Sequence, residues 1–145
     1  MLSNLKAATF EVLETMFYLF PESLEEGEAL PARGPFLRSW VTIAGPQPLC
    51  IGLQVPQSLA RKMAANFLGT DEEEISQPEM EDILKETTNM MAGAFLSKME
   101  ASGAFKLQTP EAQWVKTDEK PEKPPVNRLR FDVDDELMEL FVKKG

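Results

Sequence analysis

One stretch of the sequence spaces polar and small residues so that they share a helix face. Asp82, Glu86, Asn89, Gly93 and Ser97 follow one another at steps of 4, 3, 4 and 4 residues, and residues three or four apart are neighbours on a helix. The line offers a carboxylate acceptor and, one turn later, a carboxamide that both donates and accepts. Because Asn and Gly are poor helix formers, their place on one line suggests that another surface approaches there. An ordinary solvated helix face would show the same polar pattern.

The residue types that are missing exclude several kinds of chemistry. The sequence has no histidine and a single cysteine, Cys50. It therefore has no Ser-His-Asp or Cys-His site and no imidazole metal ligand or general base. One cysteine also excludes an internal disulfide, a CxxC redox pair and a structural zinc site. Cys50 lies in an alternating apolar run, which predicts a buried thiol rather than a nucleophile.

Length and charge set further bounds. The chain has 145 residues with 15 Lys or Arg and 24 Asp or Glu, so its net charge is -9. This length predicts one domain over 1–145 with a core of its own, and the acidic balance argues against nucleic acid as a partner. The first residues lack the basic and apolar regions of a signal peptide, and no run reaches the roughly 18 apolar residues of a membrane span. We therefore expect a cytoplasmic protein.

The polar line requires a long helix to position it, and the pattern predicts one from about 78 to 101. Ser76 or Gln77 precedes this helix, Pro78 lies in its first turn and Gly103 closes it, which are the usual start and stop signals. The apolar residues share the opposite face and should pack on the core: Met80, Ile83, Leu84, Thr87, Met91, Ala94 and Phe95.

Two shorter helices are also predicted. The first spans 5–20, with Ser3 as its N-cap and Pro21 as its stop. Its predicted core face consists of Leu5, Ala8, Val12, Leu13, Met16, Phe17 and Phe20. The second spans 58–68, where Ser58 would cap the helix and Gly69 would end it. The acidic residues that follow, from 71 to 74, are interpreted as a solvated turn.

The remaining sequence favours strands. Apolar alternation predicts strands over 36–44, 48–55, 104–109, 113–117 and 127–133. The first two should form a β-hairpin. Three prolines place a loop at 118–125. The last segment, 136–143, fits either a helix or a strand paired across an Asp134-Asp135 turn, and we favour the strand.

The long helix resembles the signature helix of the CheC, CheX and FliY family of chemotaxis phosphatases. That pattern is Asp or Ser, three residues, Glu, two residues and Asn, with a proline further along the chain. Asp82, Glu86 and Asn89 match it, Met90-Met91-Ala92-Gly93 continues the likeness, and Pro110 follows Asn89 after 20 intervening residues.

The first helix adds to the resemblance. The run from Val12 to Phe17 is similar to the opening helix of CheX-like proteins. CheC-type members often carry a second Glu-x-x-Asn there, whereas here Glu11 is followed three residues later by Glu14. The single complete motif is more similar to CheX than to CheC.

The resemblance implies a function and roles for four residues. The chain would accelerate removal of the phosphoryl group from the aspartate of a CheY-like receiver domain in chemotaxis or two-component signalling. Asn89 would orient the attacking water, and Glu86 would pair with the receiver's lysine. Asp82 would serve the helix end or docking, and Gly93 would leave room for the partner's surface.

The resemblance also implies what surrounds that site. The receiver would supply Mg²⁺, the acyl phosphate and the lysine, so the chain itself would bind neither metal nor cofactor. The fold would be α/β (α+β), an antiparallel sheet of about six strands with the long helices on one side. CheX-like proteins tend to form homodimers, here through apolar strand surface or an edge strand. The alternative function is a non-enzymatic binding module that docks on a response regulator or a flagellar switch component.

Overall fold

The computed structural model describes residues 1–25, 27–31, 33–99, 105–116 and 127–144. Within these ranges the chain forms three α-helices, α1 (Leu2–Phe17), α2 (Gln57–Leu68) and α3 (Gln77–Lys98), and one 3-10 turn at Glu72–Glu74. The same ranges contain seven strands: β1 (Glu22–Ser23), β2 (Phe36–Ala44), β3 (Leu49–Pro56), β4 (Lys106–Leu107), β5 (Glu111–Val115), β6 (Asn127–Val133) and β7 (Glu136–Lys144).

The strands form one antiparallel sheet in the order β1-β6-β7-β3-β2-β4, with β5 also paired to β2. The predicted hairpin is β2–β3, and a second hairpin joins β6 to β7. The tight turn of the second one is made by Asp134 and Asp135, whose φ angles are 51° and 66°, as in the type I′ turns that suit hairpins. The favoured strand over 136–143 is therefore confirmed, and the predicted α/β class with an antiparallel sheet is correct.

The helices lie on one face of this sheet. A single core cluster joins the buried sides of α1, α2 and α3 to alternate residues of the central strands, such as Val41, Leu53 and Leu140. The intervening residues of the same strands turn to the opposite face, because successive strand side chains alternate. Helix α3 packs against α1, α2 and β2. The sheet and α1 thus support α3 from below and from the side.

The start of α1 differs from its prediction. The helix begins at Leu2 rather than at residue 5, Met1 is its N-cap and no side chain makes a capping hydrogen bond. The prediction of Ser3 as the cap is wrong, because Ser3 already lies inside the helix.

The end of α1 also differs. The helix stops at Phe17 rather than near Pro21, because Tyr18 takes a left-handed conformation with φ 56°. The chain then reverses so that Leu19 is buried. Met16 and Phe20 were predicted to face the core, and this was wrong: they are 40% and 70% exposed.

Helix α2 confirms one terminal signal and corrects the other. Gly69 ends the helix in a left-handed conformation with φ 69°, as predicted. Ser58 is not the cap, since α2 begins at Gln57 after Pro56. Instead, the Ser58 hydroxyl hydrogen-bonds to the Glu136 carboxylate across to β7.

Two strands after α3 differ from their predictions. Within the described residues 105–109 the strand is the two-residue β4, which is shorter than predicted. The strand predicted at 113–117 is β5, which has the predicted length but starts two residues earlier, at Glu111. The predicted loop at 118–125, the predicted helix end at 101 and its closing Gly103 lie outside the described residues. Among the helices of the described ranges, none is both long and apolar enough to cross a membrane.

Candidate functional site

Helix α3 starts with a complete capping box. The Ser76 hydroxyl accepts a hydrogen bond from the Glu79 backbone N–H, and the Glu79 carboxylate accepts one from the Ser76 backbone N–H at 3.0 Å. Pro78 lies in the first turn, where its missing N–H costs nothing. The hydrogen bonds from Ser76 lower the pKa of Glu79. The N-cap is thus Ser76, one of the two residues predicted to precede the helix, and the capping box makes a firm helix start.

The inward face of α3 anchors it on the core. Of the predicted apolar set, only Ala94 is less than fully buried. Thr88 and Ala92 are also buried, which the predicted face did not include. The Thr87 and Thr88 hydroxyls donate to the carbonyls of Ile83 and Leu84 at 2.7 Å and 2.9 Å. The donors of these two buried hydroxyls are thus satisfied within the helix.

The polar line lies on the outward face, as its spacing predicted. Asp82, Glu86 and Ser97 are exposed, and Asn89 and Gly93 are half-buried. The Asp82 carboxylate pairs with Lys85 Nζ at 3.6 Å. Within the described part of the chain, neither the Glu86 carboxylate nor the Asn89 carboxamide has a hydrogen bond or ion pair. Both groups therefore face solvent with their hydrogen-bonding capacity unused.

Gly93 leaves an open position on this face. A Cβ atom built there would meet no atom of the described chain within 4 Å. Internal packing therefore does not require a glycine at this point, although Gly costs about 1 kcal/mol relative to Ala inside a helix. The position is consistent with a surface from outside lying close to the helix.

Helix α1 runs antiparallel beside α3. Asn4 Nδ2 contacts Met99 Sδ at 3.3 Å, and Glu11 forms an ion pair with Lys98 at 3.2 Å. The N-terminal half of α1 therefore lies against the C-terminal half of α3. Glu14 is exposed one turn beyond Glu11.

Sequence reasoning missed two side chains on α1's end that the structure exposes. Tyr18 and Phe20 are 73% and 70% exposed. A signal was present, because the run from Phe17 to Phe20 holds four apolar residues in succession. One face of an amphipathic helix cannot bury four consecutive side chains.

The other candidate groups do not join this site. Cys50 is on β3 and buried, as predicted, and its burial raises the thiol pKa while nearby Lys143 lowers it. Pro110 lies in the connection between β4 and β5. The acidic residues at 71–74 are all exposed, as expected of a solvated turn. Across the described ranges, no group of three or more His, Cys, Asp or Glu residues is placed to hold a metal ion.

Comparison with known proteins identifies the family. A sequence profile described as "Chemotaxis phosphatase CheX" matches residues 38–116, a segment that includes Asp82, Glu86 and Asn89. No curated protein matches the sequence significantly.

Solved structures show the same fold. CheX from Desulfovibrio desulfuricans superposes with a TM-score of 0.75 at 19% identity, over 99% of this chain and 97% of that one. CheX from Vibrio vulnificus superposes with a TM-score of 0.76 at 21% identity, over 97% of this chain and 95% of that one. The matching chain of the CheX–CheY–BeF3–Mg²⁺ complex from Borrelia burgdorferi superposes with a TM-score of 0.70 at 18% identity, over 99% of this chain and 97% of that one. The profile spans more than half of the sequence, and the chain belongs to the CheX family of chemotaxis phosphatases.

Proposed function

We propose that this chain accelerates the dephosphorylation of a phosphorylated CheY-like receiver domain, with Asn89 and Glu86 as the groups that enter the receiver's site. The observation that carries the proposal is the state of these two side chains. They lie three residues apart on the outward face of a firmly capped helix, and neither is engaged within the described chain.

The chemistry of the chain suits catalysis by placement. It has no histidine, and its one thiol is buried in the sheet. The receiver brings the acyl phosphate, a lysine and Mg²⁺, which neutralises charge on the phosphoryl oxygens. What remains for this chain is to hold a water in line and to fix the docked geometry, and neither task needs a nucleophile.

Asn89 suits the task of orienting water. Its carboxamide oxygen can accept a hydrogen bond from the attacking water, while its NH2 group can donate one to a phosphoryl oxygen. A carboxylate at this position would repel those oxygens.

Glu86 suits the pairing with the receiver's lysine. The cation next to it in sequence, Lys85, is already paired with Asp82, so it does not compensate the Glu86 charge by a direct ion pair. A free carboxylate on an exposed helix face can form a charge-assisted hydrogen bond with an incoming ammonium group. That contact would set the register in which Asn89 reaches the phosphoryl group.

Two comparisons support the choice of partner. The chain belongs to a family described as chemotaxis phosphatases, and a protein of the same fold from Borrelia burgdorferi forms a complex with CheY. Both point to a receiver of the CheY type.

The proposal is tested by phosphate release from a panel of phosphorylated receivers, each measured with and without this chain. We expect at least one receiver to lose phosphate faster in its presence. If the chain binds a phosphorylated receiver and leaves its rate unchanged, the non-enzymatic binding module is the better description.

A further inference from the structure

The exposed large apolar side chains are concentrated in one place. Among the described residues seven such side chains are exposed, and five of them lie where α1 and α2 both end. We call these five the apolar patch: Met16, Tyr18, Phe20, Phe67 and Leu68. The other two, Met1 and Met99, lie at the opposite end of α1. A contiguous exposed apolar surface on a small protein marks an interaction site.

The patch is held in place by specific contacts. Tyr18 adopts the left-handed conformation, and the Leu19 N–H donates to the Leu13 carbonyl at 3.0 Å, which closes the end of α1. Leu19 is buried between Tyr18 and Phe20, so both aromatic rings project outward on either side of an anchor. The protein therefore maintains this exposure by its backbone conformation and not through a loose end.

A second set of contacts joins the two helix ends. Asn66 Nδ2 donates to the Phe17 carbonyl at 2.8 Å, and the rings of Phe17 and Phe67 are 5.5 Å apart between centroids. The α1 and α2 parts of the patch are thus next to each other, with the buried Phe17 ring between the helix ends.

The contacts between α1 and α3 place one edge of the patch, Met16, relative to the candidate site along the helix axes. In an antiparallel helix pair, residues at the same height have residue numbers with a roughly constant sum. The α1–α3 contacts Asn4–Met99 and Glu11–Lys98 give sums of 103 and 109. Because both helices rise by about 1.5 Å per residue, Met16 then lies level with residues 87 to 93 of α3, a range that contains Asn89. One edge of the patch is therefore at about the same height as Asn89 along the two helices.

We infer that the apolar patch is the docking surface for the receiver domain on which Asn89 acts, an inference that rests on the proposed function. The charged residues near the patch and the site indicate the chemistry of the partner's complementary surface. Glu22 is exposed two residues after Phe20, Glu14 is exposed on α1, and Glu86 is exposed at the candidate site. The complementary face has apolar side chains bordered by Lys or Arg, of which the lysine paired with Glu86 is one.

The test is a double variant, Tyr18→Gly with Phe20→Ser. Glycine adopts the left-handed conformation readily, so Tyr18→Gly removes the ring without opposing the fold. We expect the KM for the phosphorylated receiver to rise about tenfold or more, as for loss of interface aromatics, with kcat within about twofold. The rise should persist in high salt, because an apolar contact is not screened.

Controls separate this inference from its alternatives and from the proposed function. Met99→Ser, at the far end of α1, should leave KM unchanged. If Asn89→Ala abolishes acceleration while the double variant leaves KM unchanged, the proposed function stands and the docking inference is overturned. If the double variant instead turns a dimer into a monomer in sedimentation with KM unchanged, the patch joins two copies of this chain, and the inference is again overturned.

If no receiver is dephosphorylated faster, the docking surface is tested by binding affinity instead. The affinity for receivers activated with beryllofluoride is measured by calorimetric titration, which does not depend on catalysis. About tenfold weaker binding by the double variant than by the unmodified chain supports the docking surface. Equal binding by both, or no binding by either, overturns it.

Discussion

The neighbouring helices α1 and α3 present opposite kinds of outward surface. Helix α3 has 22 residues, a capping box and Pro near its start. Its outward line is polar, and Glu86 and Asn89 on it have no hydrogen-bond or ion-pair partner among the described residues. Helix α1 has 16 residues, no side-chain cap and an end that exposes aromatic rings. This difference matches our two proposals, in which the firmly capped helix would hold the reacting groups and its neighbour would supply contact area for the receiver.

Glutamates on the two helices also differ in whether they have an ion-pair partner. Glu11 on α1 is held by Lys98 at 3.2 Å, whereas Glu86 on α3 is free of internal partners among the described residues. Helix α1 also lacks an Asn three residues after Glu11, where Glu14 stands. Only α3 combines a free carboxylate with a carboxamide one turn away.

The largest effect on phosphate release is expected from substitution of Asn89. Asn89→Ala removes the water-orienting group, and accelerated phosphate release should fall on the order of a hundredfold, about 2.7 kcal/mol of barrier. Ala is the better helix former, so the free energy of unfolding should hold or rise slightly. Release kinetics and urea unfolding of the same preparation measure both. A stable variant that accelerates release as well as the unmodified chain would contradict the role given to α3.

Glu86→Ala should produce a smaller, salt-dependent loss. Without the charge pair, KM for the phosphorylated receiver should rise about tenfold at low salt, and the gap should close as salt screens the contact in the unmodified chain. The matched control on α1 is Glu11→Gln, which breaks the ion pair with Lys98 and should leave KM within about twofold. A loss that does not depend on salt would indicate that Glu86 does not act through its charge.

The helix starts can be compared directly by removing one hydroxyl from each. Ser76→Ala removes the α3 cap and should cost about 1 kcal/mol of the free energy of unfolding. Ser3→Ala should be close to neutral, because Ser3 lies inside α1 and makes no capping bond. Urea unfolding at pH 7 compares the two variants, and equal losses would show that the capping box does not distinguish α3.

The capping box also predicts a pH dependence. Hydrogen bonds from Ser76 lower the pKa of Glu79 in the folded chain, so its contribution to stability is present above the ordinary glutamate pKa of about 4.3. That contribution is lost as the pH falls through the lowered, folded pKa. The urea midpoints of the unmodified chain and of Glu79→Gln should therefore converge as the pH is lowered from 7 to 3.

The smallest effect is expected at Gly93. Because a Cβ there meets nothing within 4 Å, Gly93→Ala should raise the free energy of unfolding by up to about 1 kcal/mol through helix propensity. If a partner approaches α3 closely at this point, the same change should raise KM two- to threefold, an effect of about 0.5 kcal/mol. Thermal unfolding and release kinetics measure the two effects, and destabilisation would show that the position is not open.

Sequence periodicity predicted the elements whose conformation is determined locally. The bounds of β2 and β6 are those predicted, since alternation with a period of two marks a half-buried strand. The end of α2 was also correct, because Gly69 adopts a left-handed conformation at little cost. The end of α1 could not be predicted this way, because Tyr18 adopts that conformation only where tertiary packing buries Leu19.

In the candidate site, too, the features with a local cause could be predicted from the sequence and those that depend on tertiary structure could not. The spacing of Asp82, Glu86 and Asn89 placed them on the outward face correctly, since helix geometry fixes which residues are neighbours. Spacing could not say which acid Lys85 would pair with, because several acids lie within reach of its flexible side chain. The structure shows that Lys85 pairs with Asp82, which leaves Glu86 for an external cation.

The most direct test of the central claim is single-turnover phosphate release from one receiver saturated with this chain, measured beside the affinity of the complex. We expect release about a hundredfold faster than from the receiver alone. We also expect that Asn89→Ala binds the same receiver about equally and returns release to the rate of the receiver alone. Binding of the unmodified chain without acceleration, or equal acceleration by Asn89→Ala, would contradict the central claim.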